Sequence, residues 1–275
     1  MPKFEVHKPE SRRTDSREST GARNHRLIIP SRNLLIAALP QFEVNELIAA
    51  AYGVHLKSRE IVYEGGDEIE YAYFPIDCVI SSLALLEDGS TVEIAMTGRE
   101  GLVGIPALVG GGRALHWTRV SVTGAALRIS KAALEEQASQ SEALHRVVLR
   151  SYRGLFNQIC QRSVCNVRHS LLQRLCVWLL MMHDRVGHDE LPLTQEEIAS
   201  YISVRRAGVS VASQMLQSMH GVASRRGKIV ILDRDTIEHA ACECYEAMRK
   251  QFEPFDPTKG GGGNRSIAGE PLQAR

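Results

Sequence analysis

The sequence predicts an α+β fold: a β-roll or jelly-roll of short strands, one long amphipathic helix, and a C-terminal unit of short helices closed by a strand hairpin. Three observations carry this expectation. Between Glu60 and about Ile129, apolar residues alternate at period two and glycine-rich turns interrupt them. From Ser130 to about Val186 no proline occurs, and apolar residues return at helical spacing. From Leu193 onward a capped helix, a tight turn, a second helix and a basic hairpin follow in order.

The elements follow from local patterns. Asn33 to Tyr52 reads as one or two helices, interrupted at Pro40 and resumed from Glu43 to Ile48. Ile61/Tyr63, Tyr71/Tyr73, Val79/Ser81/Leu83/Leu85 and Val92/Ile94/Met96 alternate as half-buried strands do. Glu64-Gly65-Gly66-Asp67, Glu87-Asp88-Gly89-Ser90, Thr97-Gly98-Arg99 and Gly110-Gly111-Gly112 supply turns between them. Short strands so closely spaced point to a barrel or jelly-roll. In the helical stretch Leu144, Val148, Ser151, Leu155, Gln158 and Arg162 fall at alternating spacings of four and three. A helix this long overhangs one small domain, so its seam suits a partner helix. The expected dimer interface is Leu144, Val148, Ser151, Tyr152, Leu155 and Ile159. Asn166 to Met182 reads as a second amphipathic helix.

The segment from Leu193 carries the chemistry. Thr194 can accept from the amide of Glu197, whose side chain can return the bond, which makes a capping box. Ile198, Ala199 and Ile202 form the inner face of that helix. Ser203-Val204 turns into a second helix, Arg205 to Gln217, with Val209, Ala212, Met215 and Leu216 expected inward. Arg206, Ser210, Ser213, Gln214 and Gln217 are expected outward. Two short helices crossed over a small apolar core form a helix-turn-helix, whose second helix offers its first residues to base edges in the major groove. Arg206 suits a bidentate pair to guanine. Ser224-Arg225-Arg226-Gly227-Lys228, feeding Ile229 to Asp233, reads as a hairpin wing for the DNA backbone. The expected DNA-binding residues are Thr194, Gln195, Arg205, Arg206, Ser210, Ser213, Gln214, Arg225, Arg226 and Lys228.

Composition excludes other classes. The 275 residues are 44% hydrophobic with a net charge of +1, an ordinary globular balance with room for two domains. Charge is nevertheless uneven. Between Thr194 and Leu232, five basic residues (Arg205, Arg206, Arg225, Arg226, Lys228) face two acidic ones (Glu196, Glu197). No run approaches the roughly 18–20 apolar residues of a membrane span, and the polar N-terminus lacks a secretory leader, so a cytoplasmic protein is expected. The six cysteines (Cys78, Cys160, Cys165, Cys176, Cys242, Cys244) form neither a disulfide framework nor paired CxxC motifs. Cys242 and Cys244 would lie on different faces of one helix, so neither metal nor cofactor is expected. A cupin-like enzyme would need clustered histidines, yet His116 is the only one between Glu60 and Ser130; no catalytic activity is expected.

With these parts in order, the sequence resembles the Crp/Fnr superfamily of bacterial regulators over roughly residues 31–250. LTQEEIASYISVRRAGVSVASQMLQ, the RRGKIVILD wing and AACECY carry the resemblance most specifically. The β-rich stretch EIVYEGGDEIEYAYFPIDCVISSLALLEDGSTVEIAMTGREGLVG looks like the family's sensor β-roll. The resemblance implies a sensor domain over 31–140, a dimerisation helix over 141–166 and a winged helix-turn-helix over 167–250, between disordered tails at 1–30 and 251–275. It further implies double-stranded DNA and a second copy of the chain as partners, and contact or competition with RNA polymerase. Arg206 matches the family's guanine-reading arginine. Ala207 stands where many members have an acidic base-reading residue, and Val211 where many have a second arginine. Ser203 replaces the usual turn glycine at a position that often needs positive φ.

The sensor half departs further from that family. Ile105 occupies the place of the ribose-binding glutamate of cyclic-nucleotide binders, and Ala114 or Leu115 that of their phosphate-binding arginine. A cyclic-nucleotide-responsive regulator is therefore the alternative reading. No cysteine precedes Cys78, against an N-terminal iron–sulfur cluster. His55 and His116 are the available haem ligands in the roll, and Cys78 and Cys160 the candidate redox thiols. None has neighbours that favour those roles.

Overall fold

The computed structural model describes residues 32–252 of the chain. The tails expected at 1–30 and 251–275 lie outside the described residues, except that 251 and 252 close a 3-10 turn.

Helices α1 (Leu34–Ala37) and α2 (Gln41–Ala50) flank Pro40, which stands at the N-cap of α2 as the proline break implies. The helical reading through Tyr52 is corrected by β1 (Ala51–Leu56). This segment lacks a strong local preference, and pairing decides it: Ala51 sits opposite Ile129 and Leu56 opposite Gly124. Strands β2 (Ile61–Tyr63), β3 (Tyr71–Pro75), β4 (Val79–Leu85) and β5 (Thr91–Thr97) fall where the alternation places them. A 3-10 turn (Ile105–Ala107), β6 (Trp117–Val122) and β7 (Gly124–Ser130) complete the roll.

The strands form two antiparallel sheets, ordered β1-β7-β3 and β2-β6-β4-β5. Between them lie Leu56, Tyr63, Ile69, Cys78, Ile80, Val103, Ala107, Ala114, Val120 and Ala126. Neighbouring residues of β7 point to opposite faces: Ala126 enters this interior, while Leu127 and Ile129 join α1, α2 and the following helices outside. The alternation predicts half-buried strands; β4 is instead buried on both faces, because Val79 and Leu83 pack under the C-terminal helices.

The long helical stretch is divided. Helix α3 (Lys131–Gln140) starts on the Ser130 hydroxyl and α4 (Glu142–Arg168) on that of Ser141, whose Oγ accepts from Leu144 N at 2.9 Å. The 27 residues of α4 span about 40 Å. A second cap, reciprocal between Ser170 and Gln173, starts α5 (Leu171–Val186), so the second amphipathic helix begins after Ser170 rather than at Asn166.

The expected dimer seam is also corrected. Leu144, Val148 and Ser151 are buried within their own chain, and the Ser151 hydroxyl accepts from Leu102 N at 3.0 Å. Leu155 is half-buried against the same cluster. Gln158 clasps the backbone of Met96, accepting from its amide at 2.7 Å and donating to its carbonyl at 3.0 Å. This periodic face is the one α4 lays on the β-roll. Its uncovered apolar side chains are Leu149, Tyr152, Phe156, Val164 and Val167, with Tyr152 and Phe156 stacked at 6.4 Å. Tyr152 thus stays exposed, and Ile159 is half-buried.

Past α5 come β8 (Glu190–Leu191), α6 (Gln195–Tyr201), α7 (Arg206–Ser218), β9 (Val222–Arg225), β10 (Lys228–Ile231), α8 (Arg234–Ala240) and α9 (Cys244–Arg249). Cys242 lies in the linker before α9 rather than on a helix shared with Cys244, which corrects the geometric premise applied to that pair.

Candidate nucleic-acid interface

Helix α6 starts on the expected capping box. The Thr194 hydroxyl accepts from Glu197 N at 3.2 Å, and Glu197 accepts from Thr194 N at 2.9 Å. Ile198, Ala199, Tyr201 and Ile202 bury its inner face. The turn then passes through Ser203 at φ 55, so serine does adopt the left-handed conformation that glycine takes without strain. Val204 N donates to Ala199 O at 3.0 Å and closes the turn. Val209, Ala212 and Leu216 bury the inner face of α7 against it. Gly208 permits close approach to α5, since a Cβ there would lie 2.8 Å from Leu171 Cδ2.

The outer face of α7 presents Arg206, Ala207, Val211 and Gln214 to solvent, with Ser210 half-buried beside them. Two expected positions exchange sides. Ser213 is buried, at 1% exposure, and its hydroxyl has no partner among the described residues. Met215 is instead exposed at 48%. Val209, Ala212 and Leu216 hold the core side, and Ser213, next to Ala212, falls within that buried face while Met215 falls outside it. Ser213 is therefore withdrawn from the interface. Exposed Val211 and Met215 take the outer face instead, the chemistry suited to thymine methyl groups.

Charge is arranged against local stability. Arg205 is the N-cap of α7 and makes no side-chain cap, and Arg206 is its first residue. A helix N-terminus carries partial positive charge and disfavours cations. Both arginines are exposed, and neither has an ion-pair partner among the described residues. The wing forms as expected: β9 and β10 pair antiparallel, Lys228 opposite Arg225, around Arg226 and Gly227, with Gly227 at φ 76. Arg225 and Arg226 are exposed. Lys228 is partly committed, its ammonium 2.5 Å from Glu190 Oε2. Thr194 and Gln195 are half-buried, and the Thr194 hydroxyl serves the cap.

The interface unit rests directly on the β-roll. Trp178 of α5 stacks on Tyr201 at 5.7 Å and donates to Glu93 Oε1 of β5 at 2.9 Å. Arg59, in the β1–β2 turn, pairs with Glu197 at 2.9 Å. Burial alone would raise the Glu197 carboxyl, but the Thr194 amide and the Arg59 guanidinium outweigh it and hold the group below its ordinary range. Neither Arg59 nor Glu93 is legible as a site residue in the sequence: each lies more than eighty residues from its partner, and no local pattern links them.

Residues 173–240 match the family of Crp-like helix-turn-helix domains. Among solved structures, the chain is similar to FixK2 from Bradyrhizobium japonicum, with a TM-score of 0.61 at 19% identity over 70% of this chain and 98% of that one. It is similar to a transcriptional regulator of the CRP family from Thermus thermophilus, with a TM-score of 0.57 at 18% identity over 68% and 96% of the two chains. The c-di-GMP responsive global regulator CLP of Xanthomonas campestris aligns with a TM-score of 0.58 at 13% identity over 70% and 100%. No curated protein matches the sequence. At these identities the structures establish a shared architecture, and the domain match assigns the last third. Residues 173–240 are thus a Crp-like helix-turn-helix domain, carried on a fold shared with those solved structures.

Proposed function

We propose that this chain is a transcription regulator of the Crp/Fnr superfamily, acting in the cytoplasm as a non-catalytic homodimer that reads duplex DNA with α7. Arg206 enters the major groove, flanked by Arg205, Ser210 and Gln214, and the wing arginines Arg225 and Arg226 hold the phosphate backbone. Thr194, Gln195 and Lys228 are secondary contacts. The observation that carries this reading is the pair of exposed guanidiniums at the positive end of α7, without protein partners among the described residues. Such placement opposes the helix dipole, and a polyanion compensates it. No helix among the described residues is long and apolar enough to cross a membrane.

A symmetric dimer forms through the uncovered face of α4, where Leu149, Tyr152 and Phe156 recur at spacings of three and four. Two copies related by a two-fold axis place two α7 helices on successive major grooves. The bound regulator meets RNA polymerase, as a partner or a competitor for the promoter. Residues 31–140, 141–166 and 167–250 remain the working division into sensor, dimer helix and DNA-binding unit.

The roll offers no ready cyclic-nucleotide site. Ile105 and Ala114 are buried among apolar side chains, Leu115 is 74% exposed, and the Arg113 guanidinium donates to Gly66 O at 2.8 Å. Neither Ile105 nor Ala114 offers the carboxylate and guanidinium with which a ribose and its phosphate would pair. Calorimetric titration with cyclic AMP and cyclic GMP should show no saturable heat.

The central test is recovery of genomic DNA with the purified protein, followed by mobility shift. Arg206→Ala should weaken binding by about 1–3 kcal/mol and relax base choice at one position per half-site. Unchanged binding by a folded variant overturns the reading.

A further inference from the structure

Four side chains away from the DNA-reading face converge on one point. Cys165 and His169 close α4, one helical turn apart and so on one face. Cys242, in the α8–α9 linker, and Cys244, the first residue of α9, are brought to the same place by the fold of the C-terminal unit. Cys165 Sγ and Cys242 Sγ lie 3.6 Å apart. Cys244 Sγ lies 3.4 Å from His169 Nδ1, and the four donor atoms all fall within 4.8 Å of one another. The three sulfurs belong to buried residues and His169 is half-buried.

These separations have a specific meaning. With metal–sulfur bonds of about 2.3 Å and metal–nitrogen bonds of about 2.0–2.1 Å, a tetrahedral zinc ion holds neighbouring donors roughly 3.5–3.8 Å apart. Two thiols in contact would explain Cys165 and Cys242 alone. They would not explain an imidazole nitrogen and a third sulfur turned toward the same centre. A polynuclear iron–sulfur cluster spreads its ligands around several metals and needs a wider ring than this one. We propose that Cys165, His169, Cys242 and Cys244 hold one zinc ion.

The surroundings fit that ligand set. His169 turns Nδ1 inward, and its Nε2 faces the Glu243 carboxylate at 3.3 Å, the outer partner that fixes a ligating imidazole in the tautomer with Nδ1 free. Gln161 Nε2 donates to Cys244 Sγ at 3.1 Å, a bond that strengthens when the sulfur is a thiolate. Arg174 lines the same small cavity as Cys165 and offsets the single net negative charge of three thiolates with a divalent ion. On binding, the three thiols release their protons to solvent. With four protein donors and no open position, the site is structural. It ties the end of the long helix to the α8–α9 turn and thereby sets the angle at which the helix-turn-helix leaves α4. That consequence for DNA reading rests on the proposed function; the zinc site does not.

The test uses the full-length chain, purified under reducing conditions and passed through chelator-containing buffer before elemental analysis. One zinc per chain is expected. Protein stripped under denaturing conditions and refolded with Co(II) should show intense tetrahedral d–d bands and a sulfur-to-cobalt charge-transfer band, which zinc then abolishes. Cys165→Ser and Cys242→Ser should drop the zinc content to below about a tenth of an equivalent. Cys160→Ser, at an exposed cysteine outside the set, should keep it whole. Because the buried variants are liable to misfold, the cobalt spectrum of the unmutated chain decides independently. Absence of zinc together with a weak octahedral cobalt spectrum overturns the proposal, as does a Cys165–Cys242 disulfide found in protein kept reduced. DNA-binding failure with full zinc content would count against the proposed function alone.

Discussion

The Glu93 carboxylate and the Arg162 guanidinium form a buried ion pair, 2.6 Å apart, with the acid on β5 of the roll and the base on α4. The same carboxylate accepts from Trp178 Nε1 at 2.9 Å and from Ser81 Oγ at 2.5 Å. One side chain with 1% exposure therefore joins the four-stranded sheet of the roll, the long helix and the C-terminal helical unit. A fully satisfied buried charge specifies one arrangement strongly, because any other leaves it unpaired.

Removing one member should be costly. Glu93→Ala strands the Arg162 guanidinium and should destabilise the chain by about 3–5 kcal/mol in urea unfolding. The double change Glu93→Leu with Arg162→Met removes both charges and should recover most of that loss. Equal damage from the single and the double variant would show that packing, not the uncompensated charge, dominates.

The two faces of α4 should respond differently to mutation. Phe156→Asp places a charge on the uncovered stripe and should yield monomers by sedimentation equilibrium with the thermal midpoint of the fold little changed. Leu144→Ala hollows the contact between α4 and the roll and should cost about 2–5 kcal/mol without changing the oligomeric state. A dimer that survives Phe156→Asp would place the interface elsewhere.

The wing and Ser213 separate backbone contact from burial. Arg225→Ala or Arg226→Ala should weaken binding to all sequences alike and lower the salt slope by about one each. Ser213→Ala removes a buried hydroxyl without a partner and should leave operator affinity intact, while stability stays level or rises by up to about 1 kcal/mol. Loss of affinity in a stable Ser213→Ala protein would return that residue to the interface.

Acid should release the contact between α6 and the roll. Because the Glu197 carboxyl is held below its ordinary value of 4.5 in the folded chain, its contribution is present at neutral pH. It is lost as pH falls from the ordinary carboxylate range through the depressed value. Unfolding measured against pH should show Glu197→Gln less stable than the natural chain at pH 7, with the two curves converging in acid. A gap that persists undiminished at low pH would mean that the amide, not the charge, is what the site misses.

Local chemistry makes the secondary elements and the helix-turn-helix legible in the chain itself. Period-two alternation marks β2 to β5, the Thr194–Glu197 box marks the start of α6, and the basic turn marks the wing, because each signal lies within a few residues. Even the left-handed serine at 203 follows from its place in the turn. What the sequence alone determined is this order of parts and the chemistry of the arginine-led helix. Tertiary structure decided which face each helix keeps: Ser213 goes in and Met215 out, and the periodic seam of α4 is spent on the roll while Phe156 stays bare. It also decided which distant residues meet, Glu93 with Arg162 and Cys165 with Cys242. Periodicity reports that a helix has an apolar side, but the partner for that side is set by the packing of segments far apart in the chain, where no local spacing carries the information.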